Sequence, residues 1–165
     1  ITAATLGHAL DKGELDLSVQ YPAASDAGDV QESWNIAVPA SVHVKSQLNI
    51  GKLQVNGITG GVAAKINIGK VTLDVPSGPL DVSMNVGKIT AQSHTENYGD
   101  VMLAADVGNT RLTVDGTSVG GQQKEGTGSQ LSYTGKGTDR ITLKTNTGKI
   151  SLALSGQAPL TTVGH

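Results

Sequence analysis

Lysine returns at one place in this chain. Lys52, Lys70, Lys88 and Lys149 each follow a glycine and each close a near-identical tetrapeptide: Asn49-Ile50-Gly51-Lys52, Asn67-Ile68-Gly69-Lys70, Asn85-Val86-Gly87-Lys88 and Asn146-Thr147-Gly148-Lys149. Stacked strands lie about 4.8 Å apart. Amines carried at one repeat position therefore line up wherever the copies stack, at least for Lys52, Lys70 and Lys88. Such a column raises the local positive potential despite a formal net charge of −2. It is chemistry suited to an extended anionic partner: an acidic polysaccharide, a teichoic acid or lipid head groups. The plain alternative is a solvated corner whose charges deter aggregation.

The first position of the tetrapeptide carries a different chemistry. Asn49, Asn67, Asn85 and Asn146, with Asp106 in the degenerate copy Asp106-Val107-Gly108-Asn109, predict a structural ladder in which stacked amides satisfy one another and the bent backbone. Other motifs fail on context. The five Gly-Lys dipeptides lack a following Ser or Thr and lead into strands, so no phosphate loop is expected. Gly116-Thr117-Ser118-Val119-Gly120 has the spacing of a nucleophile elbow. The residues after it make a poor helix, and the matching histidine would have to be His165. His8, His43, His94 and His165 form no ligand pair, and His43 falls on the polar side of its strand. Asp26, Asp29 and Glu32 lack the spacing of a calcium loop.

A sugar-cleaving groove would need clustered carboxylates, walling loops and aromatic platforms. Asp74 and Asp81 flank a short turn, Arg111 and Arg140 are the only arginines, and aromatic residues make 2% of the chain. With no cysteine, disulfides, thiolate metal sites and cysteine nucleophiles are excluded. The chain is read as a non-enzyme with no cofactor and no metal.

The elements that hold these columns follow from the glycines. Gly51, Gly69, Gly87 and Gly108 are separated by 18, 18 and 21 residues, and Gly148 follows 40 later, room for one further turn marked by Gly128. Seven, five, three and one residues before Gly69 lie Val62, Ala64, Ile66 and Ile68; the same slots before Gly87 hold Leu80, Val82, Met84 and Val86. Apolar residues recur two and four positions after the glycines, as Val71 and Leu73 or Ile150 and Leu152. Alternation on both sides of a fixed glycine predicts strand, corner, strand, then a polar turn. Glycine suits such a corner because it accepts positive φ and has no side chain to clash with its stacked copy.

One such unit cannot bury its apolar slots alone, so the copies must stack. The fold class expected is all-β: a single-stranded right-handed parallel β-helix (β-solenoid) of 18–21 residues per turn, with essentially no helix. Five to six turns give a rod roughly 25–30 Å long. Residues 1–37 are assigned to N-terminal strands and a loop forming a capping layer, and residues 38–165 to the repeats. Within the first, 13–21 alternate as a strand, Pro22 to Ser33 form a polar loop, and Trp34 to Val38 a strand that shields the first edge. The glycine-rich span 115–129 is expected to be a loop, and Leu131 and Tyr133 sit one position out of register.

Composition sets the bounds. At 165 residues, 37% apolar and 16% charged, the chain fits one domain with a small appendage, neither disordered nor membrane-embedded. No apolar run approaches the roughly 18 residues of a membrane helix. A core with no Phe, built from Val, Ile, Leu and Ala, suits thin sheet layers. No basic excess points to nucleic acid. The start at Ile1 is read as processed, with a signal peptide removed and a cell-envelope or secreted location.

The run from Trp34-Asn35-Ile36-Ala37-Val38-Pro39 through Ser41-Val42-His43-Val44 into the Gly-Lys repeats resembles the bacterial putative-adhesin domain family of envelope-associated β-solenoids. The resemblance covers about residues 30–155. The lysine after the corner glycine stands where many members carry an acidic residue. The resemblance implies a surface module and brings no catalytic motif.

The function expected is thus a non-enzymatic, adhesin-like module presenting its Lys face to an anionic polymer or an envelope protein. The competing class is a bactofilin-like scaffold that self-associates through its solenoid ends, for which Leu152, Leu154 and Leu160 leave an apolar terminus. A carbohydrate-active enzyme ranks third.

Overall fold

The computed structural model describes residues 5–11, 14–20, 35–120, 122–123 and 128–156. All regular structure among them is β-strand. The chain divides into two compact units, Ile1–Val38 and Pro39–His165. In the first, strands β1 (Thr5–Asp11) and β2 (Glu14–Gln20) form an antiparallel pair in register from Thr5–Gln20 to Asp11–Glu14. Alternation reveals β2. It misses β1, where Gly7 and His8 interrupt the apolar pattern. Trp34, Pro22 to Ser33 and Leu160 lie outside the described residues, and residues 35–39 carry no regular structure.

The second unit is built from long strands, each broken by one corner glycine: β3 (Val44–Asn56), β4 (Val62–Val75), β5 (Leu80–Ser93), β6 (Tyr98–Val114) and β10 (Asp139–Leu154). In β4, Val62, Ala64 and Ile66 are buried ahead of the glycine, and Val71, Leu73 and Val75 after it. Both sets join one hydrophobic cluster. Two arms that face a common core require a bend between them. The bend lies at Gly69, where Asn67, Ile68 and Lys70 are all exposed.

Neighbouring strands pair in parallel with every glycine beside a glycine. The corner glycines have φ between +132° and +158°, a region L-residues rarely adopt. A Cβ on Gly69 would run into the carbonyl oxygen of Gly51, one on Gly87 into that of Gly69, and one on Gly148 into that of Gly87. Stacking and bending thus impose glycine twice over.

The order of the rungs departs from the order of the chain. The parallel path runs β3-β4-β5-β10-β6, so the last strand is inserted between the third and fourth repeats. Sequential winding, with Gly108 stacked on Gly87, is corrected: Gly148 occupies that place. Nor does the chain between β6 and β10 make a parallel turn at Gly128. Strands β7 (Thr117–Val119) and β9 (Ser129–Thr134) pair antiparallel with the two arms of β6, and β8 (Gln122–Gln123) pairs antiparallel with β9. The span expected to be a loop therefore carries short strands, with residues 121 and 124–127 outside the described set. Leu131 is out of the repeat register because its strand runs the other way; it is 2% exposed and packs into the core. The result is a mixed, parallel-dominated sheet of eight strands.

A second correction concerns the apolar slot just before each glycine. Alternation places Ile68, Val86 and Val107 inside, yet they are 44%, 40% and 46% exposed, and Ile50 is 72% exposed. The bend absorbs one residue of the alternation. Two arms then keep their inward faces at the cost of turning this slot outward.

Candidate functional site

Every residue expected to matter lies at or beside this bend, and the inserted β10 brings the columns together. Register pairs Lys52 with Lys70, Lys70 with Lys88, and Lys88 with Lys149. Sequence order alone makes the column three lysines long; the structure makes it four, ending at Asn109 beside Lys149. All four side chains are exposed, and among the described residues none is paired with a carboxylate.

The asparagine ladder is present. Asn67 Nδ2 donates to Asn49 Oδ1 at 3.1 Å, Asn85 Nδ2 to Asn67 Oδ1 at 3.0 Å, and Asn146 Nδ2 to Asn85 Oδ1 at 2.7 Å. The bonds all point one way, so each interior amide both donates and accepts. Asp106 occupies the next rung. An ionised carboxylate has no proton to give Asn146 Oδ1, and the ladder stops there. Between this column and the one formed by Gln47, Lys65 and Ser83 runs a shallow groove of about 510 Å³.

A wider count shows what repeat position alone conceals. Take the eight positions from four before to three after each corner glycine, on all five rungs. They carry the four column lysines plus Lys65, Lys144 and Arg111, against one carboxylate, Asp106. That is a formal +6 in a chain whose total is −2. The charge is segregated onto the bend.

A second polar constellation went unread in the sequence. His94 Nε2 lies 2.7 Å from Asp74 Oδ1, and His94 Nδ1 lies 3.0 Å from Ser155 Oγ. Residues 94 and 155 both stand seven positions after a corner glycine. That signal becomes legible only once β10 is known to lie beside β5. The chain of groups is the one a serine nucleophile uses, and a cavity of about 380 Å³ lined by Glu96, Asp115, Ser155 and Gly156 adjoins it. Catalysis would also need donors aimed at a developing oxyanion. Ser155 N–H donates to the Ser93 carbonyl and Gly156 N–H to Asp115 Oδ1. The carboxylates of Glu96 and Asp115 would further oppose an oxyanion. The trio links three adjacent rungs, β4, β5 and β10, at their ends.

The remaining candidates stay apart. Ser118 pairs with Thr113 in the β6–β7 hairpin, not at a strand-to-helix turn. His43 is exposed, with Nδ1 3.2 Å from the Gly60 carbonyl oxygen. Asp81, Arg111 and Arg140 are exposed singly. Among the described residues no group of three His, Cys, Asp or Glu is placed to hold a metal, and no helix is long and apolar enough to cross a membrane. Asp26, Asp29, Glu32 and His165 lie outside the described residues, as do the side chains of His8 and its neighbours.

No family model matches the chain, and no curated protein does either. Among solved structures, the chain is similar to one described as a putative cell adhesion protein from Clostridium sporogenes. The TM-score is 0.54 at 16% identity, over 93% of this chain and 77% of that one. At this identity the likeness is one of fold.

Proposed function

We propose that this chain is a non-enzymatic, adhesin-like binding module of the cell envelope or cell surface, of the putative-adhesin type. Its five parallel rungs are wound as a β-solenoid that presents a repeated lysine face to an extended anionic partner, an acidic polysaccharide or an envelope protein. The observation that carries this reading is the insertion of β10, which turns three spaced lysines into an unbroken column of four. Weak contacts repeated at one spacing add through multivalency. The fold's likeness to a protein described as an adhesion protein supports the same reading.

The test is binding of the purified chain to acidic and neutral polysaccharides at low and moderate salt, beside a variant with Lys52, Lys70, Lys88 and Lys149 changed to Gln. Salt-sensitive binding to acidic polymers that the variant loses is the expected outcome. Equal binding by both proteins, or none by either, overturns the lysine-column reading.

The scaffold alternative needs two open rims. The β6 rim is covered on both arms by β9 and β7, which favours the binding module over a filament. The enzyme alternative meets a Ser–His–Asp trio whose flanking N–H groups are already committed.

A further inference from the structure

The outward slot before each glycine has no part in a purely electrostatic site. Ile50, Ile68, Val86, Thr147 and Val107 stand on successive rungs in register. Four of the five are aliphatic and 40–72% exposed. Single exposed aliphatic residues are ordinary, but a register-aligned row of them is not. The row lies one residue from the glycine column, with the lysine column one residue beyond on the other side. Lys65 and Lys144 flank it from the opposite direction, four positions before their glycines. The row therefore runs down the middle of a band carrying a formal +6, beside the groove that Asn49, Asn67 and Lys65 line.

From this we infer that the bend is a docking ridge for an anionic lipid surface: lysines on both flanks meet head groups while the aliphatic row enters the acyl boundary between them. The inference rests on the lysine-face reading and names its partner. Two features favour a bilayer over a soluble polymer. The aliphatic row gains nothing from a hydrated polyanion and is buried by a membrane. Cations flanking an apolar strip are the usual composition of an interfacial face. A second copy meeting it ridge to ridge is a poorer occupant, because that ridge offers Asp106 alone to meet the cations.

The experiment uses the full chain with vesicles of phosphatidylcholine alone, and of phosphatidylcholine with about one third phosphatidylglycerol, in a flotation assay at low and moderate salt. Dextran sulfate serves as a soluble polyanion. Beside the wild type run the lysine-to-Gln variant and a row variant in which Ile50, Ile68, Val86 and Val107 become Ser. All eight positions are exposed, and circular dichroism checks that each variant is folded. Because the chain has no cysteine, Thr147→Cys carries an environment-sensitive fluorophore within the row, between Val86 and Val107.

The expected result is binding to anionic but not to neutral vesicles, reduced about tenfold or more in each variant, with a blue shift of the fluorophore. The row variant keeps its hold on dextran sulfate. Vesicle binding that is unchanged in the row variant, or a fluorophore that stays in water, overturns the lipid inference. Binding of dextran sulfate without vesicles overturns it too, while the lysine-face reading stands. Binding of neither overturns both.

Discussion

The two rims of the parallel stack are unlike. At the β6 rim, β9 and β7 run antiparallel along both arms, Leu131 seals the core at 2% exposure, and Ser129 Oγ donates to the Gly108 carbonyl at 3.2 Å. At the β3 rim no described strand pairs on the outer side. There, Val44, Leu48 and Leu53 are only half-buried, and a Cβ built on Gly51 meets nothing within 4 Å. The same tetrapeptide thus sits in two environments. What makes the glycine, the asparagine and the leucines obligatory is the rung beneath them rather than the motif itself. A stack of this kind ends where the chain reverses direction, because a reversed strand cannot extend the columns.

The sharpest break in this contrast is to uncover the closed rim. Leu131→Asp places a carboxylate in the core and should cost at least about 3 kcal/mol or release β9. With β6 exposed, light scattering should report species that grow with concentration; a strict monomer would show that β9 is not what prevents stacking. Gly87→Ala comes next. It combines a forbidden φ with a collision against the Gly69 carbonyl, and a loss of about 3 kcal/mol is expected in urea unfolding. Gly51→Ala has the strain without the collision and should lose about 1 kcal/mol. Equal losses would erase the distinction between interior and rim.

Within the ladder, Asn67→Ala removes two amide bonds and Asn49→Ala one. The expected loss is about 1 kcal/mol for the first and half that for the second. The smallest effect is at high pH. Tyr98, whose ring centroid lies 6.2 Å from that of Tyr133 on β9, has its phenol pKa raised by burial and by Tyr133. The folded state holds this proton more tightly than the unfolded one. The contribution is therefore whole below about pH 10 and fades as pH rises through the raised value. Tyr98→Phe should flatten the alkaline fall in stability.

Much of this was legible in the residues. The corner glycines, the alternating arms, the asparagine ladder and the absence of helix among the described residues all follow from a repeat whose period is visible. Three things were not. The place of β10 is invisible because residues 139–154 carry the same motif as their neighbours, and identical rungs fit any slot. The outward turn of Ile68 and Val86 is hidden because alternation assumes a straight strand, and the bend consumes one step of it. The width of the charged band was hidden: the column lysines were legible, but Lys65, Lys144 and Arg111 stand at other repeat positions and join them only once the rungs are stacked.

The inserted strand has a consequence for how the chain comes to be. During synthesis β5 and β6 emerge together, joined by only residues 94–97, while β10 is still unmade. Their glycines and apolar slots match, although Asp106 and Asn109 stand where β5 carries Asn85 and Lys88, so the two can pair in register and produce a shorter stack. In the finished arrangement β10, a strand of 16 residues, lies between them, so any such pairing has to open to admit it. Non-local parallel pairing is slow even when no wrong partner competes. Here the competing partner carries the same glycine and apolar slots, so a chain stopped short of β10 is expected to pair β5 with β6.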